Sequence, residues 1–407
     1  MDSIARFAEL RAWLTEAGLA GKSETAILDG FCRRAGDAGL PIARGVMLID
    51  TLHPIHEGRA FYWHREGGQP HTELVEYGPT SEGEAAETWR RSVFFHLLQT
   101  GESLFRVRFH AGETADYRMI AQLRQAGMSD VVAMITRFTG SGAIGEMDSL
   151  YSYWATDRPD GFYDRQVEAL AGLMPILALA VKCVSLARIA GTLVETYLGR
   201  DAGLRVLQGR IRRGIAEKID AVLWYSDLRA FTRTADQAAP EQVIPLLNDY
   251  AEAVISAIYQ IGGDVLKLIG DGVLAIFTAA PREAACRDAI AAYTLMQGRV
   301  SQLNQRRAGE RLPVTQVYVG LHIGEVFYGN IGSNERLDFT VVGPAVNEAA
   351  RIAAMCRSVE RNVLLSHAFG DAMARLERGR LVSVGRYALR GVERPQELFT
   401  LDPFWTA

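Results

Sequence analysis

The sequence predicts an α/β (α+β) protein of two folded domains joined by a helical connector. Three observations carry that prediction. At 407 residues the chain is long enough for two or three domains. Short apolar runs alternate with stretches of helical periodicity along nearly its whole length. Between residues 184 and 217 the periodicity is helical only, and the charged, glycine-containing second half carries no strand signal.

Composition narrows the class. The chain is 48% hydrophobic and 23% charged, as expected of a soluble globular protein. Its formal net charge of -4 gives no electrostatic footprint for nucleic acid. Cys32, Cys183, Cys286 and Cys356 are scattered without metal-ligand or redox spacing, which suits a reducing cytoplasm. The opening MDSIARFAEL lacks a basic n-region and an apolar h-region, so no signal peptide is expected. The longest apolar run, residues 169–181, contains Pro175 and is followed by Lys182. It is short for a spanning helix, so a buried or dimer-forming helix is expected and no membrane span.

Taken in order, Ile4, Phe7, Leu10 and Leu14 share one helix face, and a second helix is expected over 24–38. Strands are expected at 42–50 and 59–64. His53 and His56 flank Pro54 and, with no third ligand nearby, read as loop histidines. One helix is expected over 81–100, strands at 103–109 and 131–138, a turn at 141–144 and a strand at 149–156. A helix then starts near Asp164. This order, and above all the stretch YSYWATDRPDGFYDRQVEALAGLMPILALAVK, resembles the last strand and closing helix of GAF-type sensory domains. The resemblance implies a regulatory domain over residues 1–185 that answers an unknown small-molecule or protein signal. Phe61, Trp63, Tyr153 and Trp154 either line its pocket or fill its core. Residues 186–217 read as a helical linker with a turn near 199–203, placed to pass a shift onward.

Residues 221–225 form an apolar strand that ends at Asp227. A helix over 240–261 has Pro240 near its start. The stretch DVLKLIGDGVLAIF then reads as a hairpin whose turn is Gly270-Asp271-Gly272, with Lys267 inside its first strand. A strand–helix–strand unit brings strand ends together, so Asp227 and Asp271 are expected at one sheet edge. Further on come a helix over 281–305, a strand over 315–327, a loop at 329–332 and a strand over 338–342. A helix over 345–357 then places Asn347 and Arg351 on one face. The end of the chain alternates strand, helix, strand, strand.

The strings WYSDLRAFT, GGDVLKLIGDGVLAIF, GLHIGEVFYGNIG and DFTVVGPAVNEAARI together resemble the catalytic domain of class III adenylate and guanylate cyclases over residues 218–407. The resemblance implies a ferredoxin-like, palm-type domain with a mixed sheet and flanking helices. It implies conversion of ATP to 3′,5′-cyclic AMP and pyrophosphate with two Mg²⁺ or Mn²⁺ ions. By the resemblance Asp227, Asp271 and the backbone carbonyl of Leu228 are metal ligands, and Lys267 and Thr340 read the base. Asn347 positions the ribose, Arg351 stabilises the transition state, and Arg390 and Arg336 contact the triphosphate. A Lys donor and a Thr acceptor suit adenine N1 and its 6-amino group, whereas guanine presents the opposite pattern. In the family the two residue sets come from different chains, which implies a homodimer with shared sites. The alternatives are a guanylate cyclase or a silent nucleotide-binding or dimerisation module. A diguanylate cyclase is disfavoured because Val265 and Leu266 stand where an acidic pair would follow Gly-Gly-Asp. Two departures from the family pattern stand out. Ala230 replaces a glycine, which is tolerated only if the backbone there is not left-handed. Pro344-Ala345 replaces a more polar pair.

Overall fold

The computed structural model describes residues 3–66, 69–138, 144–145, 147–375, 377–390, 392 and 395–402. The turn expected over 141–144 lies outside these, apart from Ile144. The chain divides into two compact units, Met1–Leu193 and Val194–Ala407.

The first unit runs α1 (Ser3–Leu19), α2 (Glu24–Asp37), β1 (Arg44–Asp50), β2 (Gly58–Glu66), β3 (Gln69–Tyr77), α3 (Gly83–Arg90), α4 (Val93–Thr100), β4 (Leu104–Arg108), α5 (Arg118–Gln125), β5 (Asp130–Arg137), β6 (Ser149–Thr156) and α6 (Asp164–Leu198). Its sheet has the order β3-β2-β1-β6-β5-β4. Strand alternation sorts the residues onto two faces. Met47, Ile49, Phe61, Trp63, Leu150 and Trp154 pack with α1, α2 and α6 in the main core. Of the four aromatics singled out above, Phe61, Trp63 and Trp154 are therefore core residues, and Tyr153 alone faces the other way.

Four expectations are corrected here. The helix expected over 81–100 is two helices, because Ser92 caps α4 by accepting from the Phe95 N–H at 3.1 Å. The edge strand β3 and the helix α5 were not anticipated: QPHTELVEY is mostly polar, and the eight residues of RMIAQLRQ are only two turns, with Ile120 and Leu123 as their buried face. The apolar run and the first part of the connector, up to Leu198, form one helix, α6, of 35 residues. Pro175 lies inside it without ending it, because Leu173, Met174, Leu177 and Ala178 on either side are held in the core. By length and hydropathy α6 is able to cross a membrane, and 50% of its most apolar window is buried in the fold.

The second unit runs α7 (Arg200–Leu207), β7 (Ala216–Leu228), α8 (Phe231–Gln237), α9 (Pro240–Gln260), β8 (Asp264–Ile269), β9 (Gly272–Phe277), α10 (Arg282–Gly309), β10 (Val317–Gly332), β11 (Leu337–Val342), α11 (Pro344–Met355), β12 (Val363–Ser366), α12 (His367–Ala372), β13 (Leu381–Tyr387) and β14 (Gln396–Leu401). Its sheet has the order β13-β14-β12-β10-β7-β9-β8, with β11 paired to β10. The sheet is mixed: β10 pairs antiparallel with β7 and parallel with β12. One face packs on α9 and α10 through Val222, Trp224, Leu246, Tyr250 and Met296. The other packs on α11 through Leu223, Leu274, Val326 and Ala349. Gly329-Asn330-Ile331-Gly332, expected as a loop, belongs to the 16-residue β10 and pairs with β11. Glycine had suggested a break. Here it admits the chain, since a Cβ on Gly329 would stand 2.2 Å from the Ile215 carbonyl oxygen.

Candidate active site

The β8–β9 hairpin closes through a two-residue turn, Gly270-Asp271, with Ile269 paired to Gly272. Gly270 has φ +62, a left-handed value that favours glycine. Gly272 is required for another reason: a Cβ there would lie 2.4 Å from the Ser226 carbonyl oxygen on β7. That close approach sets the turn against the end of β7. The Leu228 backbone N–H donates to Asp227 Oδ1 and to Asp271 Oδ2, each at 3.2 Å. Two carboxylates 44 positions apart in sequence thus share one donor. Burial and the adjacent Asp271 carboxylate push the Asp227 carboxyl up to about 7. A paired, oxygen-only donor set of this kind suits a hard divalent cation, whose charge would relieve the repulsion.

Just beyond the pair the chain enters a strained turn. Ala230 has φ 53 and ψ 32 at the N-cap of α8. The condition set above is therefore not met: the backbone is left-handed and carries a methyl group.

A bulge in β8 separates Val265, paired with Ala275, from Lys267, paired with Leu274. Leu266 is the extra residue, and bulges of this kind re-aim side chains. Lys267 Nζ lies 3.6 Å from Asp338 Oδ2 on β11. Asp338 and Thr340 share one face of β11 by alternation. Thr340 is 5% exposed, and its hydroxyl has no hydrogen-bond partner within the fold. Asp338 is the site residue that sequence reasoning missed. Its position two residues before Thr340 on a strand was the available signal.

Pro344 opens α11, where a missing N–H costs nothing. Ala345, Ala349, Ile352 and Ala353 are its buried side. Gly320 of β10 lets the helix sit close, since a Cβ there would be 2.5 Å from the Ala349 oxygen and the Ala353 nitrogen. Asn347 on this helix is exposed and Arg351 half-buried. Arg336, in the turn between β10 and β11, and Arg390, after β13, are exposed. Among the described residues none of these arginines is ion-paired within the fold, and no hydrogen bond or ion pair joins the Asp227–Asp271 pair to Lys267, Thr340, Asn347 or Arg351.

Residues 216–402 match the family model described as the adenylate and guanylate cyclase catalytic domain. The second unit carries a nucleotide cyclase domain. An adenylate cyclase of Anabaena cylindrica is 32% identical over 160 residues, covering 38% of this chain and 31% of that protein. An uncharacterized protein of Mycobacterium tuberculosis is 32% identical over 205 residues, 50% of this chain and 36% of its own length. The chain thus spans about a third of the length of these curated relatives. Among solved structures, the adenylyl cyclase CyaB from P. aeruginosa is 22% identical with a TM-score of 0.42, covering 46% of this chain and 95% of that one. The guanylyl cyclase Cya2 is 28% identical with a TM-score of 0.40, covering 46% and 96%.

Within the second unit, the connector reaches the hairpin directly. Gly199 has φ +86, and a Cβ on it would stand 2.3 Å from the Val265 carbonyl oxygen. Next to it, the Asp201 N–H donates to Asp264 Oδ1 at 3.3 Å, and the Tyr328 hydroxyl donates to Asp264 Oδ2 at 3.4 Å.

Proposed function

We propose that the chain is an adenylate cyclase that converts ATP to 3′,5′-cyclic AMP and pyrophosphate as a homodimer. The observation that carries cyclase chemistry is the convergence of Asp227 and Asp271 on one N–H at the sheet edge. Two divalent ions, Mg²⁺ or Mn²⁺, held there with the Leu228 carbonyl would lower the pKa of the ribose 3′-hydroxyl and neutralise the triphosphate. The protein's own residues do the rest. Lys267 donates to adenine N1, and the Thr340 hydroxyl, left without a partner in the fold, accepts from the 6-amino group. Asn347 orients the ribose. Arg351 faces the charge that builds on the α-phosphate, a role in which an arginine contributes on the order of 10³ to 10⁵ in rate. Arg390 and Arg336 hold the outer phosphates by bidentate contacts.

The dimer is what the family resemblance implies, and one feature of the chain is in keeping with it: among the described residues no hydrogen bond or ion pair joins the metal pair to the base, ribose and phosphate residues. In this reading each site takes one set from each copy. Exposed apolar side chains are in keeping with this: Leu268 and Ile269 on the hairpin, and the paired Phe327 and Val342 on β10 and β11. We further read the first unit as a GAF-like sensory domain and the protein as cytoplasmic, in keeping with its four unpaired cysteines and acidic charge.

Incubating the purified chain with ATP or GTP, with Mg²⁺ or Mn²⁺, and identifying products by mass tests this reading. Cyclic AMP from ATP is expected. Cyclic GMP alone overturns the assignment of Lys267 and Thr340, and no product under any condition overturns the enzyme.

A further inference from the structure

The face of the first sheet that turns away from the main core is packed in part by α4, through Val93, Phe94 and Leu97 against Ala133, Ile135 and Tyr151, and among the described residues it leaves a cavity beside them. Val46, Leu48 and Asp50 project from β1 on this face, and register places Tyr151 opposite Leu48 and Tyr153 opposite Val46. With Trp89 of α3 and Phe94 of α4 they line a cavity of about 1260 Å³, large enough for a drug-sized molecule. Trp89 meets Tyr151 edge-on at 5.4 Å between ring centroids, so its wall is preformed. The floor carries one charged group, the half-buried carboxylate of Asp50, which accepts from the Tyr77 hydroxyl at 2.9 Å.

Carboxylates crowd the end of the cavity at Asp50, while Arg137 acts on Tyr151 and Arg44 on Tyr153 in the opposite sense. Burial raises the Tyr77 hydroxyl, with Asp50 and Glu57 adding to the shift. Burial also raises Tyr151, with Asp50 and Asp148 adding to it. Three carboxylates therefore act on two tyrosines at one end of the cavity. Glu57 is already engaged by the N–H and hydroxyl of Thr80. The arginines of the lining, Arg90, Arg91 and Arg118, are exposed on the helices of the rim. A carboxylate set among aromatic faces in a concave pocket is matched by an organic cation, which gains both from the charge and from the ring faces.

We propose that this cavity binds a small organic ammonium compound, with its apolar body against Trp89, Tyr151 and Tyr153 and its cation at Asp50. An amine with an aromatic ring satisfies both halves of the site. A carboxylate of the same shape would meet Asp50 with like charge.

The test compares three indoles of equal bulk on the full chain: tryptamine, the neutral tryptophol and the anionic indole-3-acetate, with phenethylamine as a second amine. Calorimetry and thermal shift are the readouts. Both amines are expected to bind, at least about tenfold tighter than the neutral and anionic compounds. Asp50→Asn is expected to lose at least about tenfold in amine affinity. Tyr77→Phe, which removes the internal hydrogen bond to Asp50 but keeps the carboxylate, is expected to retain it. This pair of variants separates a lost charge from a disturbed fold. Indole-3-acetate binding as tightly as tryptamine, Asp50→Asn binding unchanged, or neither amine binding up to about 10 mM overturns the proposal. None of these readouts uses cyclase activity, so the outcome leaves the reading of the catalytic domain independent.

Discussion

Thr340 holds a buried hydroxyl that the fold itself does not use. Removing it should therefore cost catalysis and not stability. Thr340→Val is expected to lower kcat/KM for ATP about tenfold while the melting temperature holds or rises, because no internal partner is orphaned. A clear fall in melting temperature would show that the hydroxyl serves packing. Asp227 makes a second, pH-linked expectation. Its carboxyl is raised to about 7 in the fold, above the ordinary carboxylate value, so the native state binds a proton that the unfolded chain releases. The stability linked to that proton is present at low pH and is lost as pH rises through about 7. A bound cation replaces the proton, so Mg²⁺ or Mn²⁺ should raise the melting temperature more at pH 8 than at pH 6. In Asp227→Asn the difference should vanish. Ala230 gives a third: at φ 53 its methyl costs roughly 1 kcal/mol, so Ala230→Gly should stabilise by about that amount in urea unfolding.

The β8–β9 hairpin shows best what was legible before the fold was known. Its strands, its turn and the meeting of Asp271 with Asp227 were readable, because Gly-Asp-Gly between apolar runs leaves few alternatives. Its bulge was not, since period-2 alternation in DVLKLI carries no mark of an extra residue, and with the bulge went the pairing of Lys267 with Asp338. The same limit applies to β10. Glycines that read as a loop turned out to be places where another backbone comes close, which only tertiary contact reveals. The polar edge strand β3 escaped for lack of an apolar pattern, and α5 because two turns with only Ile120 and Leu123 buried give too short a period to read. The cost of close approach is testable at Gly272. Gly272→Ala drives a methyl into the Ser226 carbonyl and is expected to destabilise by about 2 kcal/mol or more, with loss of metal response, in chemical unfolding followed with and without Mg²⁺. Tolerance of alanine there would mean that the hairpin and β7 do not need their close contact.

At the scale of the whole molecule, the proposed homodimer places the two residue sets of one chain in different sites. A chain with Asp271→Ala keeps its base and phosphate residues, and a chain with Arg351→Ala keeps its metal pair. Each alone should be inactive. Mixed in equal amounts and allowed to exchange, they should recover about one quarter of wild-type activity, the share expected when half the dimers carry one complete site. A mixture as inactive as its parents would sink the shared-site reading.

Gly199 and Val265 give the connector and the hairpin a joint of an unusual kind. Most contacts between elements pass through side chains, which bend and change rotamer and so absorb small displacements. Here backbone meets backbone with no Cβ between them. A joint without soft parts has no backlash. Any turn of the helix end at Gly199 beyond a few tenths of an ångström must move the strand that carries Lys267, and Gly199→Ala would jam the joint even with every catalytic group intact.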